Sequence, residues 1–142
     1  MLKINKSLKD KRTRLKKLLR SKPFKEIIED DLIASEFRSL PELKIAFYLE
    51  ESGVDWYYNC PISGYGVTYY LDFYMPILDL VIEYDGKQHF EGTNHYMGDI
   101  SEIRLRDKFK NKFIEENKLK LKRITYKEKI TKELIYSKLM EE

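Results

Sequence analysis

The stretch from Tyr69 to Phe90 constrains the fold more than any other part of the chain. Its pattern predicts two short strands joined by a tight turn at residues 75–78. The first strand carries Asp72, and the second is an apolar run that leads into Glu83 and Asp85. Because side chains alternate across a strand, Glu83 and Asp85 fall on one face. The fold must therefore accommodate two neighbouring carboxylates at the end of a core strand.

Carboxylates that lie side by side in a core repel one another and lose hydration, so a cation between them is expected. A divalent metal ion is the obvious candidate, and Asp72 on the neighbouring strand supplies a third carboxylate. A ligand set made only of oxygens favours Mg²⁺, for which Mn²⁺ can substitute, over zinc. We therefore predict a Mg²⁺ site formed by Asp72, Glu83 and Asp85.

Two residues after Gly86 are candidates for activating a water molecule at such a site. A bound Mg²⁺ can neutralise a phosphodiester and lower the pKa of water, and a positioned base or cation completes the reaction. Lys87 shares the face of the carboxylates if the strand continues past Gly86. His89 titrates near neutral pH and can serve as a general base. The residues leave both alternatives open.

The combination of Asp72 with Glu83-x-Asp85, or with Asp85-Gly86-Lys87, resembles the PD-(D/E)XK nuclease superfamily. The fuller string DFY…IEYDGKQHF is similar to the branch that holds the very-short-patch mismatch repair endonucleases and related phage and homing endonucleases. The resemblance implies a Mg²⁺-dependent DNA endonuclease of phage or mobile-element type. In the superfamily the lysine of (D/E)xK orients or activates water, whereas in this branch a histidine after the glycine takes part. The branch therefore favours His89 over Lys87.

A helix is predicted to begin after Ser39 and to end at Gly53. Ser39 is a good N-cap, and Glu42 three residues later completes a capping box. Glu42 also shares a helical face with Ile45, which directs it towards the sheet. The segment resembles the T-x-P-E helix of the mismatch endonucleases, whose glutamate belongs to the active site. Glu42 is therefore either a structural cap or a catalytic residue.

A later helix carries Arg104-Leu105-Arg106-Asp107-Lys108, which resembles an R-D-x-x-(K/R) motif of the same family. That resemblance implies that Asp107 pairs with the catalytic histidine or supports the site. The alternative is an acid in a salt-bridged basic helix face, which would contribute little.

Charge is strongly segregated along the chain. Residues 1–25 contain eleven Lys or Arg and one acid, residues 26–103 contain three and sixteen, and residues 104–132 contain twelve and four. An acidic centre between basic segments suits a metal site flanked by surfaces that bind phosphate, although a solubilising tail would show the same bias. The predicted DNA-binding residues are Lys11, Arg12, Arg14, Lys16, Lys17, Arg104, Arg106 and Lys108.

The pattern of the chain predicts a helix, three strands, a helix and a strand after a basic N-terminal helix. The predicted strands are 54–60, 66–75, 80–85 and 119–126, the predicted helices are 5–25, 25–36, 39–52, 100–116 and 132–140, and a turn region is expected at 61–66. The resemblance assembles these elements into an α/β fold with a restriction-endonuclease-like αβββαβ core, a mixed four-stranded sheet flanked by helices. Residues 1–36 are interpreted as a basic helical arm and an acidic second helix, and residues 37–142 as the nuclease domain. The apolar residues of the second helix that are predicted to face inward are Ile27, Ile28, Leu32 and Ile33.

The composition excludes several classes of protein. A single cysteine, Cys60, rules out an internal disulfide and a multi-cysteine zinc site, and no apolar run is long enough to span a membrane. The structural zinc site and the His- and Trp-rich wedge of the mismatch enzymes are absent, so mismatch specificity is not expected. We expect a cytoplasmic protein (host cytoplasm if phage-encoded) that binds DNA and no membrane, as a monomer or homodimer. A catalytically inactive nucleic-acid-binding module and a protein-interaction subunit are the alternatives.

Overall fold

A computed structural model describes residues 2–64, 66–86 and 100–140, and it consists of one mixed sheet with helices on both faces. The helices are α1 (Lys6–Arg20), α2 (Phe24–Ile27), α3 (Asp31–Ala34), α4 (Leu40–Ser52), α5 (Ile100–Glu116) and α6 (Lys132–Met140). The strands are β1 (Tyr57–Gly64), β2 (Val67–Met75), β3 (Leu80–Asp85) and β4 (Lys120–Thr125), with a 3₁₀ turn at Pro76–Leu78. Within these ranges, none of the helices is long and apolar enough to cross a membrane.

The sheet has the strand order β1-β2-β3-β4. Strands β1, β2 and β3 are antiparallel neighbours, whereas β3 and β4 are parallel and are connected through α5. A parallel pair needs such a crossover, because a tight turn can join only antiparallel strands. With α4 preceding the sheet, the element order is α4, three strands, α5 and β4. This order confirms the predicted α/β fold class and is consistent with an αβββαβ core.

The two faces of the sheet bury separate hydrophobic cores. The α4-side core contains residues of α1, α4, β2, β3 and α6, including Leu15, Ile45, Phe73, Ile82 and Ile135. The α5-side core contains residues of β1, β2, β3 and α5, including Cys60, Leu71, Tyr74, Val81 and Ile114. Both faces of β3 are therefore covered, which explains why its sequence is an unbroken apolar run before the acids.

The alternation of side chains between the two faces of the sheet is interrupted in β1 and β2 at neighbouring positions. Tyr58 and Phe73 are paired and lie in the α4-side core, whereas Cys60 and Leu71 are paired and lie in the α5-side core. Residues two apart in a regular strand share a face, so both strands change phase between these two pairs. Asp72 lies between these two pairs on β2, and Asn59 lies between them on β1. Asn59 has a left-handed backbone conformation, with φ at 57°.

Helix α1 crosses the edge of the sheet at β1 and contributes to both cores. Leu8 lies in the α5-side core, while Leu15 and Leu19 lie in the α4-side core. Arg12 donates a hydrogen bond of 2.7 Å to the hydroxyl of Tyr57 and lies over its ring. The helix predicted as a basic arm is therefore packed against the edge strand through its buried leucines.

A buried carboxylate also attaches α1 to the sheet. Glu50 of α4 accepts a hydrogen bond of 3.0 Å from the indole N–H of Trp56 and forms ion pairs with Lys16 and Arg20 of α1. Because a buried charge requires partners, this arrangement fixes the C-terminal half of α1 against α4.

The prediction of a single helix over 25–36 is wrong. The structure has two short helices, and Asp30 separates them because its carboxylate accepts hydrogen bonds from the N–H groups of Leu32 and Ile33. This N-cap starts a new helix at Asp31. Ile27 and Ile33 are buried as expected, but Leu32 is 82% exposed, contrary to the prediction that it faces inward.

The predicted turn region at 61–66 is also too long. Strand β1 begins at Tyr57 rather than at 54 and continues through Pro61 to Gly64. Pro61 lacks a backbone N–H, but β1 is an edge strand, where a missing donor is tolerated. The ends predicted for β3, α5 and α6 agree with the structure.

Cys60 gives a direct test of the packing between β1 and α5. Its side chain is buried, and burial raises the pKa of the thiol to about 11. At pH 8 about one thousandth of such a thiol is ionised, and the thiolate is the reactive form. We therefore expect no reaction of the native protein with a disulfide reagent such as DTNB at pH 8. The same protein in guanidinium chloride should react with one equivalent of DTNB per chain and release one equivalent of thionitrobenzoate. Rapid reaction of the native protein would contradict this packing.

Candidate active site

The pairing of β2 with β3 is replaced at one end by contacts from carboxylate side chains. Backbone pairing runs from Met75 opposite Leu80 to Phe73 opposite Ile82. At the next level the N–H of Asp72 donates to Glu83 Oε2 at 2.6 Å, and the N–H of Tyr84 donates to Asp72 Oδ2 at 2.8 Å. The two acids therefore hold the strands together at the point where the regular ladder ends.

Glu83 is a buried acid that contacts a lysine and has a raised pKa. Its Oε1 accepts a hydrogen bond of 2.8 Å from Lys110 of α5, a lysine whose side chain is only 12% exposed. Burial, followed by the negative charge of Asp72, raises the pKa of Glu83 despite Lys110 and the N–H of Asp72. An additional cation near Glu83 would therefore favour its ionised form.

Asp72 is bound on its other side by Arg38, which lies just before α4. One guanidinium nitrogen of Arg38 donates to Asp72 Oδ1, and the same nitrogen donates to Glu42 Oε1 at 2.9 Å. Asp72 and Glu42 are buried, whereas the side chain of Arg38 is 53% exposed. Arg38 thus joins a carboxylate of the sheet to one of the first turn of α4.

Glu42 takes part in the helix cap and in this network at the same time. Ser39 Oγ accepts the N–H of Glu42 at 3.3 Å and donates to Glu42 Oε2 at 2.8 Å, which confirms Ser39 as the N-cap. The hydroxyl of Tyr58 donates to Glu42 Oε1 at 3.0 Å. Burial, and then the charge of Glu42 against the opposing Arg38, raises the pKa of Tyr58 to about 12, so Tyr58 stays protonated. The two interpretations of Glu42 are therefore compatible.

Asp85 lies two residues beyond Glu83 and is also buried. Arg123 of β4 approaches its carboxylate, with Nη1 at 3.4 Å from Oδ1. Arg123 is opposite Glu83 in the parallel ladder, so β4 brings a positive charge to the level of the acids. Of the three predicted metal ligands, Asp72 and Glu83 are therefore in contact where the β2–β3 ladder ends, and Asp85 follows two residues after Glu83 on β3. Each of the three lies beside a basic side chain.

In the described ranges, no three side chains of His, Cys, Asp or Glu are arranged as a metal-binding group. The carboxylates of Asp72, Glu83 and Asp85 are instead neutralised by Arg38, Lys110 and Arg123. The donor chemistry nonetheless fits Mg²⁺, since these acids supply only oxygen atoms and each carboxylate has about four acceptor positions. A metal ion would have to compete with the basic side chains for these oxygens.

The other predicted catalytic residues are less clearly placed. Lys87 and His89 lie outside the described residues, so both remain predictions. Asp107 is half-buried on α5, where Lys110 follows it by three residues and shares its side of the helix. Arg106 is half-buried, and Arg104 and Lys108 are exposed.

Most of the predicted DNA-binding residues of α1 contact other parts of the chain. Arg14 pairs with Glu36, Lys16 lies 3.5 Å from Asp55, and Lys17 is exposed. Lys11 lies over the ring of Tyr58 at 5.3 Å from its centre. Burial lowers the pKa of Lys11, and Arg14 and Arg38 lower it further against the opposing effect of Glu36. Lys11 therefore lies close to Arg14, Arg38 and Glu36, and of the three basic residues Arg38 is the one that contacts Asp72.

Three basic residues of the site were not predicted from the sequence, namely Arg38, Lys110 and Arg123. A signal existed for Lys110, because it lies one helical turn after Asp107. Arg38 directly precedes the capping box, which the sequence did predict, but nothing in its position indicates a contact with Asp72, 34 residues away.

Comparison of the chain with family models, with curated proteins and with solved structures finds no match. Function must therefore be inferred from the residues and their geometry.

Proposed function

We propose that this protein is a Mg²⁺-dependent DNA endonuclease that hydrolyses phosphodiester bonds. One observation carries the proposal: the buried carboxylates of Asp72 and Glu83 replace the β2–β3 ladder where it ends, and a third buried carboxylate, Asp85, follows two residues later on β3. Neighbouring buried acids raise the free energy of the folded chain unless cations neutralise them, so such a cluster is suited to binding a metal ion. The resemblance of the DFY…IEYDGKQHF pattern to PD-(D/E)XK nucleases, drawn from the sequence, supports the same activity.

In this proposal Asp72, Glu83 and Asp85 would hold Mg²⁺. The ion supplies neutralisation of the phosphate and a bound water of lowered pKa. Tyr58 and Glu42 orient Arg38 next to Asp72, and Lys110 supplies positive charge beside Glu83. Asp107 would support the site from α5. Arg38 beside Asp72, with Lys11 and Arg14 close by, would attract a phosphate backbone to the site.

Supercoiled plasmid provides the test of this function. With Mg²⁺ the purified protein should convert it to nicked or linear DNA, and EDTA should prevent the conversion. Mn²⁺ should replace Mg²⁺. Binding of the same DNA without any metal-dependent cleavage would contradict the proposal.

A catalytically inactive DNA-binding module on the same fold is the second candidate. The observation that favours it is that Asp72, Glu83 and Asp85 each already lie beside a cationic side chain. Such a module would bind DNA with a strong dependence on salt and would show no cleavage with any divalent metal. In either case DNA is the proposed partner of a cytoplasmic monomer or homodimer.

The choice between His89 and Lys87 is testable by their alanine variants. His89→Ala is expected to reduce cleavage by about 10²-fold or more, as for other general bases, and to cost more than Lys87→Ala. Only His89→Ala should remove the rise in rate near pH 6.5, where an unperturbed imidazole titrates. Because metal-bound water titrates in the same range, the pH profiles of both variants must be compared with that of the wild type. A larger loss in Lys87→Ala, with the pH limb retained in His89→Ala, would assign the role to the lysine.

A further inference from the structure

Arg38 has an unusual position between two buried acids and solvent. Its guanidinium contacts Asp72 and Glu42, each less than one-tenth exposed, while its own side chain is 53% exposed. A buried carboxylate that loses its partner costs several kcal/mol, so these acids need a cation in the free protein. Because the Arg38 side chain is more exposed than those of Lys110 and Arg123, it is the cation among these three that can most easily move away from its acid into solvent.

Different nitrogen atoms of Arg38 make the contacts that anchor it and the contact with Asp72. Its Nε donates to Glu42 at 3.2 Å and to the hydroxyl of Tyr58 at 3.3 Å, and the guanidinium lies over the Tyr58 ring at 5.8 Å. Asp72 is contacted through Nη2 alone, and this nitrogen also donates to Glu42 at 2.9 Å. A small rotation about the anchored part would therefore release Asp72 while the contacts of Nε with Glu42 and Tyr58 remain.

We propose that Arg38 is an exchangeable counter-ion of Asp72, which it neutralises in the free protein and releases to a divalent metal ion when it binds a DNA phosphate. This inference rests on the proposed nuclease function. A guanidinium binds carboxylate and phosphate with the same planar fork of donors, so one anion can replace the other. Lys11 lies over the same Tyr58 ring and places a second positive charge where that phosphate would lie.

The proposal predicts opposite effects of one substitution in two binding assays. In the first assay, Mn²⁺ binding to the DNA-free protein is measured by titration calorimetry or by the EPR signal of free Mn²⁺. Arg38→Gln removes the competing charge and should tighten Mn²⁺ binding about tenfold, as expected for the loss of a charge-assisted hydrogen bond. Lys25→Gln is the matched control, because it removes one exposed positive charge on α2, a helix that supplies none of the site residues.

In the second assay, binding of a short duplex is measured by fluorescence anisotropy in EDTA over a range of salt concentrations. Arg38→Gln should weaken binding and reduce the slope of log affinity against log salt by about 0.9, as expected for one lost phosphate contact. Lys25→Gln should leave the slope unchanged. The combination of tighter metal binding and a shallower salt slope is not expected from a residue that merely supports the fold.

An unchanged Mn²⁺ affinity or an unchanged salt slope in Arg38→Gln would overturn the proposal, as would the absence of Mn²⁺ binding in both wild type and variant. Mn²⁺ binding that appears only in the variant would support it. If Arg38→Gln does not fold, Arg38→Lys replaces it, because lysine lacks the fork of donors that contacts Asp72 and Glu42 together. This variant should tighten Mn²⁺ binding by a smaller factor and should keep the wild-type salt slope, because its charge is retained; an unchanged Mn²⁺ affinity would overturn the proposal. Plasmid cleavage by the wild type is scored separately, so failure of the nuclease function is distinguishable from failure of this inference.

Discussion

Asp72→Asn is expected to reduce the rate of DNA cleavage in Mg²⁺ by about 10³-fold or more. The substitution keeps the shape of the side chain and an oxygen that can accept the N–H of Tyr84, but it removes the charge that a metal ion requires. A metal ion contributes several kcal/mol to stabilising the transition state, and each 1.36 kcal/mol corresponds to a factor of ten in rate. Nicking of supercoiled plasmid under single-turnover conditions measures the loss.

Folding and DNA binding should change little in Asp72→Asn, because the change also removes the repulsion that acts on Glu83. The matched control is Glu116→Gln, which removes an exposed carboxylate at the end of α5 and should cleave at the wild-type rate. Equal rates for Asp72→Asn and the wild type would refute the metal site at these carboxylates, even if the protein cleaves DNA.

Leu15→Ala is expected to lower the free energy of unfolding by about 2–5 kcal/mol, the usual cost of truncating a fully buried leucine. Leu15 is 1% exposed in the α4-side core, and domains of this size are stable by only about 5–15 kcal/mol. Urea denaturation followed by circular dichroism gives the value. A change below about 0.5 kcal/mol would mean that α1 is an arm that folds independently of the sheet.

Lys17→Ala on the same helix is the control, because Lys17 is exposed and its substitution should hardly affect stability. The result also bears on experiments with DNA. Removal of the whole basic N-terminal segment would delete Leu8, Leu15 and Leu19 from the cores, so reduced DNA binding after truncation would not isolate an electrostatic contribution. Single substitutions of exposed lysines are the appropriate probe of phosphate contacts.

The fold was predictable where local sequence and tertiary structure favour the same element. Ser39, Pro41 and Gly53 mark the ends of α4, and Gly53 adopts the left-handed conformation expected of a helix stop. The apolar run before Glu83 identifies β3. The helix predicted over 25–36 was wrong because Asp30 can be either an ordinary helical residue or an N-cap, and only its contacts with Leu32 and Ile33 decide between them.

The site was predictable in its acids but not in its cations. Asp72, Glu83 and Asp85 are conspicuous because charged residues rarely lie within buried strands. Their partners come from the segment before α4, from α5 and from β4, at separations of 27 to 38 residues. Sequence periodicity describes single elements and contains no information on which long basic side chain reaches across to another element. The change of phase at Asn59 and Asp72 was invisible for a similar reason, because it involves two strands at once.

The carboxylates that replace the β2–β3 ladder also connect the backbone to the chemical state of the site. The amide protons of Asp72 and Tyr84 are held by side-chain oxygens, and protonation or metal coordination of those oxygens weakens their ability to accept a hydrogen bond. Exchange of these two amide protons with solvent should therefore depend on pH and on metal concentration more strongly than exchange at Phe73 or Ile82, which lie in the regular ladder. The site thus contains its own spectroscopic reporter, readable by NMR without DNA or turnover.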